Sequence, residues 1–188
     1  MRAQWAWQRG VTLIEVLVTI LILSIGLLGM AGLQVRLQQS EMEAYQRAQA
    51  LLLLSDMANR IAANRNAAED YVTGADSPVG VGSTCSTSTT SRKDIDLGEW
   101  CDALQGAAET TGSNASKVGA MLGGRGCVES LGSNEYLITV AWQGEAPIAV
   151  PPTSVACGAD EYDGEEGSAC ADDLCRRVVT TIVRIADL

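Results

Sequence analysis

An almost uninterrupted apolar stretch from Val16 to Leu33 most constrains the fold of this chain, and one carboxylate, Glu15, stands at its start. As a helix, residues 11–33 would be about 34 Å long, enough to cross a bilayer core of about 30 Å. A charged side chain at the mouth of such a span is energetically costly, so such residues usually have a function. We therefore predict a membrane-spanning helix over 11–33 and treat Glu15 as a candidate functional residue.

A short basic segment precedes this stretch. Residues 1–10 contain Arg2 and Arg9 and end at Gly10. This composition is typical of a leader rather than of a folded element. Thr12 and Glu15 have the spacing of a capping box, which predicts a helix start just after the leader.

The chain continues with strong helix formers over residues 34–65, without Pro or Gly. This segment has two apolar faces at helical spacing. One face comprises Leu37, Ala44, Ala48, Leu51 and Leu52, and the other comprises Met42, Leu53, Met57 and Ile61. A helix that is apolar on two sides needs two partners. We predict that the chain's own globular domain covers one face and that a neighbouring molecule covers the other.

Residues 66–188 predict a globular domain. The segment 94–104 predicts a short helix with Trp100 and Leu104 as anchors, whereas the Ser-, Thr- and Gly-rich segment 71–92 predicts a loop. Alternating or β-branched residues predict strands over 135–142 and 176–185, with 127–131 as a third. The fold class is therefore α+β, with a long N-terminal helix, first transmembrane and then amphipathic, packed on a small antiparallel sheet.

The chain contains six cysteines, all from residue 85 onward: Cys85, Cys101, Cys127, Cys157, Cys170 and Cys175. An even number without CxxC spacing, downstream of an export signal, predicts disulfides formed in an oxidising compartment. Many pairings are compatible with the sequence. The arrangement that we favour joins Cys85 with Cys101, Cys127 with Cys157, and Cys170 with Cys175.

Composition excludes several classes of function. The net charge of −10 argues against a nucleic-acid partner, because phosphate binding needs clustered Lys and Arg. The chain has no His, which rules out His-based catalytic triads and His metal sites. No nucleophile elbow or phosphate loop is present. Three acidic residues, Asp94, Asp96 and Glu99, fall on the short helix, where we interpret them as solvated. We expect no enzymatic activity and no cofactor.

An acidic segment near the C-terminus is a weak candidate for a Ca²⁺ site. Asp160, Asp163 and Glu165, with Glu161 and Glu166 beside them, supply carboxylates, but their spacing does not match an EF-hand loop. A solvated acidic loop is the interpretation that we favour, with no metal bound.

The segment Gly10-Val11-Thr12-Leu13-Ile14-Glu15 and the apolar residues after it closely resemble the class III signal of type IV prepilins and pseudopilins. The continuation over 25–34 and 56–65 resembles minor pilins of the PilV subfamily, the type IV pilus modification proteins. Residues 126–128, 140–144 and 176–179 fit that subfamily less specifically.

This resemblance implies a type IV pilin fold and a defined maturation. A prepilin peptidase would cut between Gly10 and Val11 and then methylate the new amine of Val11. Most relatives have Phe after the cut, where this chain has Val11. The resemblance also gives Glu15 a partner, since in a filament a buried carboxylate needs a positive charge and the amine of Val11 supplies one. The competing interpretation is that Glu15 only caps the helix and favours its dipole.

The implied function is that of a minor pilin in pilus assembly, priming or tip-complex formation, with effects on cell adhesion and twitching motility. The implied partners are the prepilin peptidase, other minor pilins, the major pilin, the inner-membrane assembly machinery and a tip adhesin. Before assembly the chain would be a single-pass protein of the bacterial inner membrane with a periplasmic domain. After assembly it would lie in the pilus, at the tip.

Two alternatives remain open. Within the filament class, the chain would be a minor pseudopilin of a type II secretion system. Outside that class, it would be a single-pass anchor carrying a secreted binding domain, or a protein with a conventional signal peptide cut after Ala31. The position of the mature N-terminus distinguishes these hypotheses.

Overall fold

The computed structural model describes residues 10–107, 110–111, 116–117, 119 and 121–186. The predicted leader, except for Gly10, lies outside the described residues. The chain divides into two compact units, one ending at Glu41 and the other beginning at Met42.

One α-helix, α1, spans Leu13–Ala63. The helix predicted over 11–65 is thus confirmed to within two residues at each end. A short 3₁₀ helix, Arg65–Tyr71, follows directly and was not predicted. It is held to the end of α1, because the side-chain amide of Asn64 donates to the hydroxyl of Tyr71 at 3.1 Å.

The second unit contains a four-stranded antiparallel sheet. Across the sheet, the strands follow the order β1 (Val79–Gly80), β4 (Arg125–Gly132), β5 (Glu135–Gln143) and β6 (Arg176–Arg184). Helix α2 spans Arg92–Leu104, and β2 (Thr110–Thr111) pairs with β3 (Ser116–Lys117). The three predicted strands and the short helix are confirmed. The predicted loop over 71–92 is wrong in one detail, since it contains β1.

The turn between β4 and β5 consists of Ser133 and Asn134, both of which have positive φ. Two consecutive left-handed residues match the right-handed twist of an antiparallel hairpin. The turn joins β4 to β5, and on its other side β5 pairs along its whole length with β6, from Glu135↔Arg184 to Gln143↔Arg176.

The core of the second unit is formed by the C-terminal part of α1, α2 and one face of the sheet. Trp100 of α2 is fully buried, and its indole N–H donates to the carbonyl of Leu53 at 3.0 Å. Gly126 of β4 makes room for the indole, because a Cβ at that position would collide with the Trp100 ring. Leu104 is fully buried as well, so both predicted anchors are confirmed.

Three disulfides tie the loops to this core: Cys85–Cys101, Cys127–Cys157 and Cys170–Cys175. They are the pairs favoured from the sequence. The first fixes the Ser- and Thr-rich loop to α2, the second fixes the segment before β6 to β4, and the third closes a short loop at the start of β6. The α+β fold is thus confirmed, with a long N-terminal helix packed on a small antiparallel sheet and with disulfide-bonded loops.

Candidate functional site

The start of α1 leaves the predicted processing point outside the helix. Gly10 is exposed, and the side chain of Val11 is 70% exposed. Thr12 accepts from the backbone N–H of Glu15 twice, at 3.4 Å through its hydroxyl and at 3.1 Å through its carbonyl. Helix α1 therefore begins after Thr12, and both residues of the Gly10–Val11 peptide bond are exposed to solvent.

Glu15 lies in the first turn of α1 and is exposed. Within the part of the chain that the structure describes, no ion pair joins Glu15 to a cation. Its neighbours along the helix, Ile14 and Val16, are apolar and exposed. In an apolar environment this carboxylate would need a positive partner from outside the described residues or from another molecule.

The surface of α1 from Val16 to Leu37 is mostly apolar and is exposed. By length and composition the helix is able to cross a membrane, and none of its most apolar window is buried. The exposed large side chains in this part are Val16, Leu17, Val18, Ile20, Leu21, Ile22, Leu23, Ile25, Leu27, Leu28, Met30, Leu33, Val35 and Leu37. An exposed apolar surface of this size is expected to be covered by lipid or by another protein.

The last part of α1 has one buried and one exposed apolar face. Leu53, Met57 and Ile61 are buried against the sheet and α2, as expected for the face covered by the chain itself. Met42, assigned to the same face, is exposed. The residues assigned to the other face are all exposed: Leu37, Ala44, Ala48, Leu51 and Leu52. The described domain thus covers only one of the two faces.

The interpretation of the acidic residues of α2 as solvated is wrong for Asp96. Asp96 is 1% exposed and lies at the centre of a polar cluster between α1 and α2. Arg60 and Arg92 each approach its carboxylate to 2.9 Å, and the hydroxyl of Tyr71 donates to it at 2.6 Å. Asp96 stands four residues before Trp100, on the buried side of α2, and this spacing is the signal that the sequence reasoning missed.

Two further carboxylates complete this cluster around Arg60. Asp56 contacts the Arg60 guanidinium at 2.8 Å and Glu99 contacts it at 2.6 Å. Burial raises the pKa of Asp96, but hydrogen bonds from Tyr71, Arg60 and Arg92 outweigh that effect and hold the pKa below its ordinary range. Burial, followed by the bond to Asp96, raises the pKa of Tyr71. The cluster joins α1, the 3₁₀ helix and α2 as a structural element.

The acidic segment near the C-terminus uses its side chains to hold its own loop. Asp163 accepts from the backbone N–H of Asp173 at 2.9 Å, and Asp173 accepts from the backbone N–H of Asp160 at 3.0 Å. Asp173 also forms a buried ion pair with Arg176 at 3.0 Å, which the sequence reasoning missed. Glu165, the third Ca²⁺ candidate, is exposed. Among the described residues, no group of three or more side chains is arranged to hold a metal ion.

The N-terminal residues match two known sequence families. Residues 8–31, which include Gly10, Val11 and Glu15, match the prokaryotic N-terminal methylation motif. Residues 32–108 match the family described as type IV pilin Tt1218. Together the two matches cover residues 8–108. That family is structural and not enzymatic. Neither a curated protein nor a solved structure shows a significant match to the chain.

These matches extend the resemblance seen in the sequence. The methylation motif and the exposed apolar helix fit membrane anchoring and a location in pili. The pilin match ends at residue 108, inside the second unit, so it covers the exposed face of α1, the Asp96 cluster and α2.

Proposed function

We propose that this chain is a minor pilin of the PilV type, which takes part in type IV pilus assembly by priming growth or by forming the tip complex. Its mature form begins at Val11, after prepilin peptidase cleaves the Gly10–Val11 bond and methylates the new amine. Its partners are other minor pilins, the major pilin, the inner-membrane assembly machinery and a tip adhesin. It resides in the inner membrane before assembly.

The observation that carries this proposal is the exposed apolar helix that begins two residues after Val11 and bears Glu15 in its first turn. The match of residues 8–31 to the methylation motif supports it. A simple anchor gains little from a carboxylate at this position. In a filament, the amine of Val11 from the same or a neighbouring subunit neutralises Glu15, and loss of either charge leaves the other unpaired at a cost of several kcal/mol.

The exposed second face of α1 supports assembly over simple anchoring. Leu51 and Leu52 lie within the second unit, yet they remain exposed beside the buried residues Ala50 and Leu53. Packing of a neighbouring subunit on this face would bury them. A minor pseudopilin of a type II secretion system is the second candidate, because it shares the processing motif and the same helix.

The experiment that tests the role of Glu15 is recovery of variants in sheared pili. Glu15→Ala should still insert and be processed, but its incorporation should fall by about tenfold or more, because an unpaired buried amine opposes packing. Glu41→Ala is the matched control, since Glu41 is also an exposed carboxylate on α1 and should not affect incorporation. Recovery of Glu15→Ala at the wild-type level would contradict the proposed pairing.

A further inference from the structure

The outer edge of β6 is the longest unpaired sheet edge in the described part of the chain. The order β1-β4-β5-β6 makes β6 one border of the sheet, and β6 runs for nine residues. The opposite border, β1, has two residues. A strand at a border presents main-chain N–H and C=O groups with which another strand can pair.

The hydrogen bonds at the two ends of the β5–β6 ladder show which groups of β6 are open. Ile185 donates to the carbonyl of Asn134 at 2.9 Å, and Gly144 donates to the carbonyl of Cys175 at 2.8 Å. Because bonded residues alternate along an antiparallel ladder, the odd-numbered residues of β6 bond to β5. The backbone N–H and C=O groups of the even-numbered residues therefore point away from β5. These residues are Val178, Thr180, Ile182 and Arg184. No backbone bond outside the ladder uses these four among the described residues.

The side chains at this edge are incompletely covered. Val179 and Val183 pack on the core from β6 but are only partly buried, whereas Ile138 and Val140 of β5 are fully buried in the same core. Ile182, on the other face of the sheet, is 48% exposed. The difference between the two strands arises because β5 has a strand on both sides and β6 on one. An added strand would complete the burial of Val179 and Val183.

The sequence of β6 lacks the features that normally protect an edge. Natural edge strands avoid pairing by means of Lys, Pro, bulges or short length. β6 has no Pro, Gly or Lys, and its middle residues 178–183 carry no charge. Its arginines lie at its ends, where Arg176 pairs with Asp173 and the exposed Arg184 pairs with Glu135 at 2.7 Å.

A second copy of this chain does not fit the edge. Antiparallel pairing of β6 with itself needs a two-fold axis at right angles to the sheet, which reverses the direction of residues 42–63 of α1 in the second copy. Subunits of one filament share one direction, so this step rests on the proposed function. Pairing of β6 with β1 of another copy would match nine residues with two.

We propose that β6 binds an extended strand of a different protein by β-strand addition. The strand has β-branched or apolar residues on both of its faces, beside Val178, Thr180 and Ile182 on one face and beside Val179 and Val183 on the other. It bears a carboxylate opposite Arg184. Arg184 supports this choice, because its side chain is exposed and has Glu135 as its carboxylate partner, which leaves part of the guanidinium open to a second carboxylate. The other two arginines of β6 are held by Asp173 and Glu43. The main chain supplies the hydrogen bonds and the flanking side chains supply the selectivity.

The test is amide hydrogen exchange by NMR on the full-length protein in detergent micelles. The probe is a capped peptide of about the length of β6, made of alternating Val and Thr with one Glu near its end. With peptide in excess, the amides of residues 178, 180, 182 and 184 should exchange about tenfold more slowly, whereas those of 177, 179, 181 and 183 should already be protected. A peptide with two central Pro residues should have no effect.

Two variants locate the binding. Thr180→Pro removes one outward N–H and should abolish the protection, while Thr180→Ala retains that N–H and should preserve it. Ile182→Lys, at an exposed position, replaces Thr180→Pro if the Pro variant fails to fold, and it should weaken peptide binding. In each variant, slow exchange of the β5 amides shows that the protein is folded. The proposal is overturned if the peptide leaves the even-numbered amides unprotected or binds Thr180→Pro equally well. Concentration-dependent protection without peptide would also overturn it, because a second copy would then occupy the edge.

This test is independent of the processing and assembly of the chain. The peptide binds or fails to bind to β6 whatever the mature N-terminus is. Failure here would therefore leave the proposed pilin function intact.

Discussion

The two parts of α1 have the same secondary structure but opposite surroundings. From Leu13 to Glu41 no residue of the helix is buried, although most of the large side chains are apolar. From Met42 to Ala63, six residues are buried: Gln46, Ala50, Leu53, Leu54, Met57 and Ile61. Apolar side chains on one helix therefore stabilise a domain in the second part and remain exposed, and so available to lipid or other subunits, in the first part.

Two side-chain truncations, one in each unit, test the difference between the two parts of α1 most strongly. Trp100→Ala should destabilise the second unit by about 4 kcal/mol, because it leaves a cavity and removes the bond to Leu53. Urea unfolding of the full-length protein in detergent, followed by near-UV circular dichroism, measures this. Leu23→Ala, in the exposed part of α1, should change the same free energy by less than about 0.5 kcal/mol. A comparable loss for both variants would contradict the separation of the two parts.

A closer comparison uses two leucines in the same part of α1. Leu54 is 4% exposed and Leu52 is 65% exposed. Leu54→Ala should cost about 3 kcal/mol of unfolding free energy, whereas Leu52→Ala should cost less than about 0.5 kcal/mol. The same unfolding assay measures both. We expect Leu52→Ala, but not a surface change such as Glu41→Ala, to lower recovery in sheared pili.

The Asp96 cluster gives a prediction with a defined pH dependence. Asp96→Asn should destabilise the second unit by about 2 kcal/mol at pH 7, a value reduced for the solvent exposure of the arginines. Because the pKa of Asp96 is held below its ordinary value of 3.8, its contribution is complete above that value and is lost as the pH falls through the lower pKa of the folded protein. Urea unfolding across pH 2–7 should show the two proteins converging at the acidic end.

The control for Asp96 is an exposed ion pair. Asp102 contacts Lys117 at 2.5 Å on the surface of α2. Asp102→Asn should therefore change stability by less than about 0.5 kcal/mol. An equal loss for the two variants would show that burial of Asp96 contributes nothing.

Substitution of Glu129 has the smallest expected effect on stability. Unlike the substitution of Asp96, it should stabilise the protein. Burial, followed by the charge of Asp76, raises the pKa of Glu129, and Glu129 Oε1 is buried with no hydrogen-bond partner. The ionised form is therefore unfavourable in the folded protein, and stability should rise as the pH falls from the raised pKa toward the ordinary value of 4.5. Glu129→Gln should stabilise by about 0.5 kcal/mol at pH 7 and change nothing at pH 4. Destabilisation at pH 7 would contradict this.

The sequence predicts those parts of the structure that depend on local pattern. Helix α1, α2 and the three long strands follow from periodicity and β-branching, and the apolar faces of 42–63 follow from helical spacing. Asp96 was misjudged because its partners, Arg60 and Tyr71, lie on other elements and are brought close only by folding. The buried Asp173–Arg176 pair and the two-residue strand β1 were missed because tertiary contacts, and not local propensity, fix them.

The functional candidates also include some that the sequence identifies and one that it does not. Gly10, Val11 and Glu15 were identified from the sequence because they are consecutive or nearly so, and the structure describes them as exposed. The open edge of β6 was not identified, since a strand's place at the border of a sheet depends on the pairing of all the other strands.

The mass of the N-terminal peptide of the protein recovered from cells tests the central claim most directly. We predict a chain that begins with N-methylated Val11, so that its amine is free to meet Glu15 in the filament. Recovery of a chain that still begins at Met1, or of a chain that begins at Gly32, would contradict this prediction.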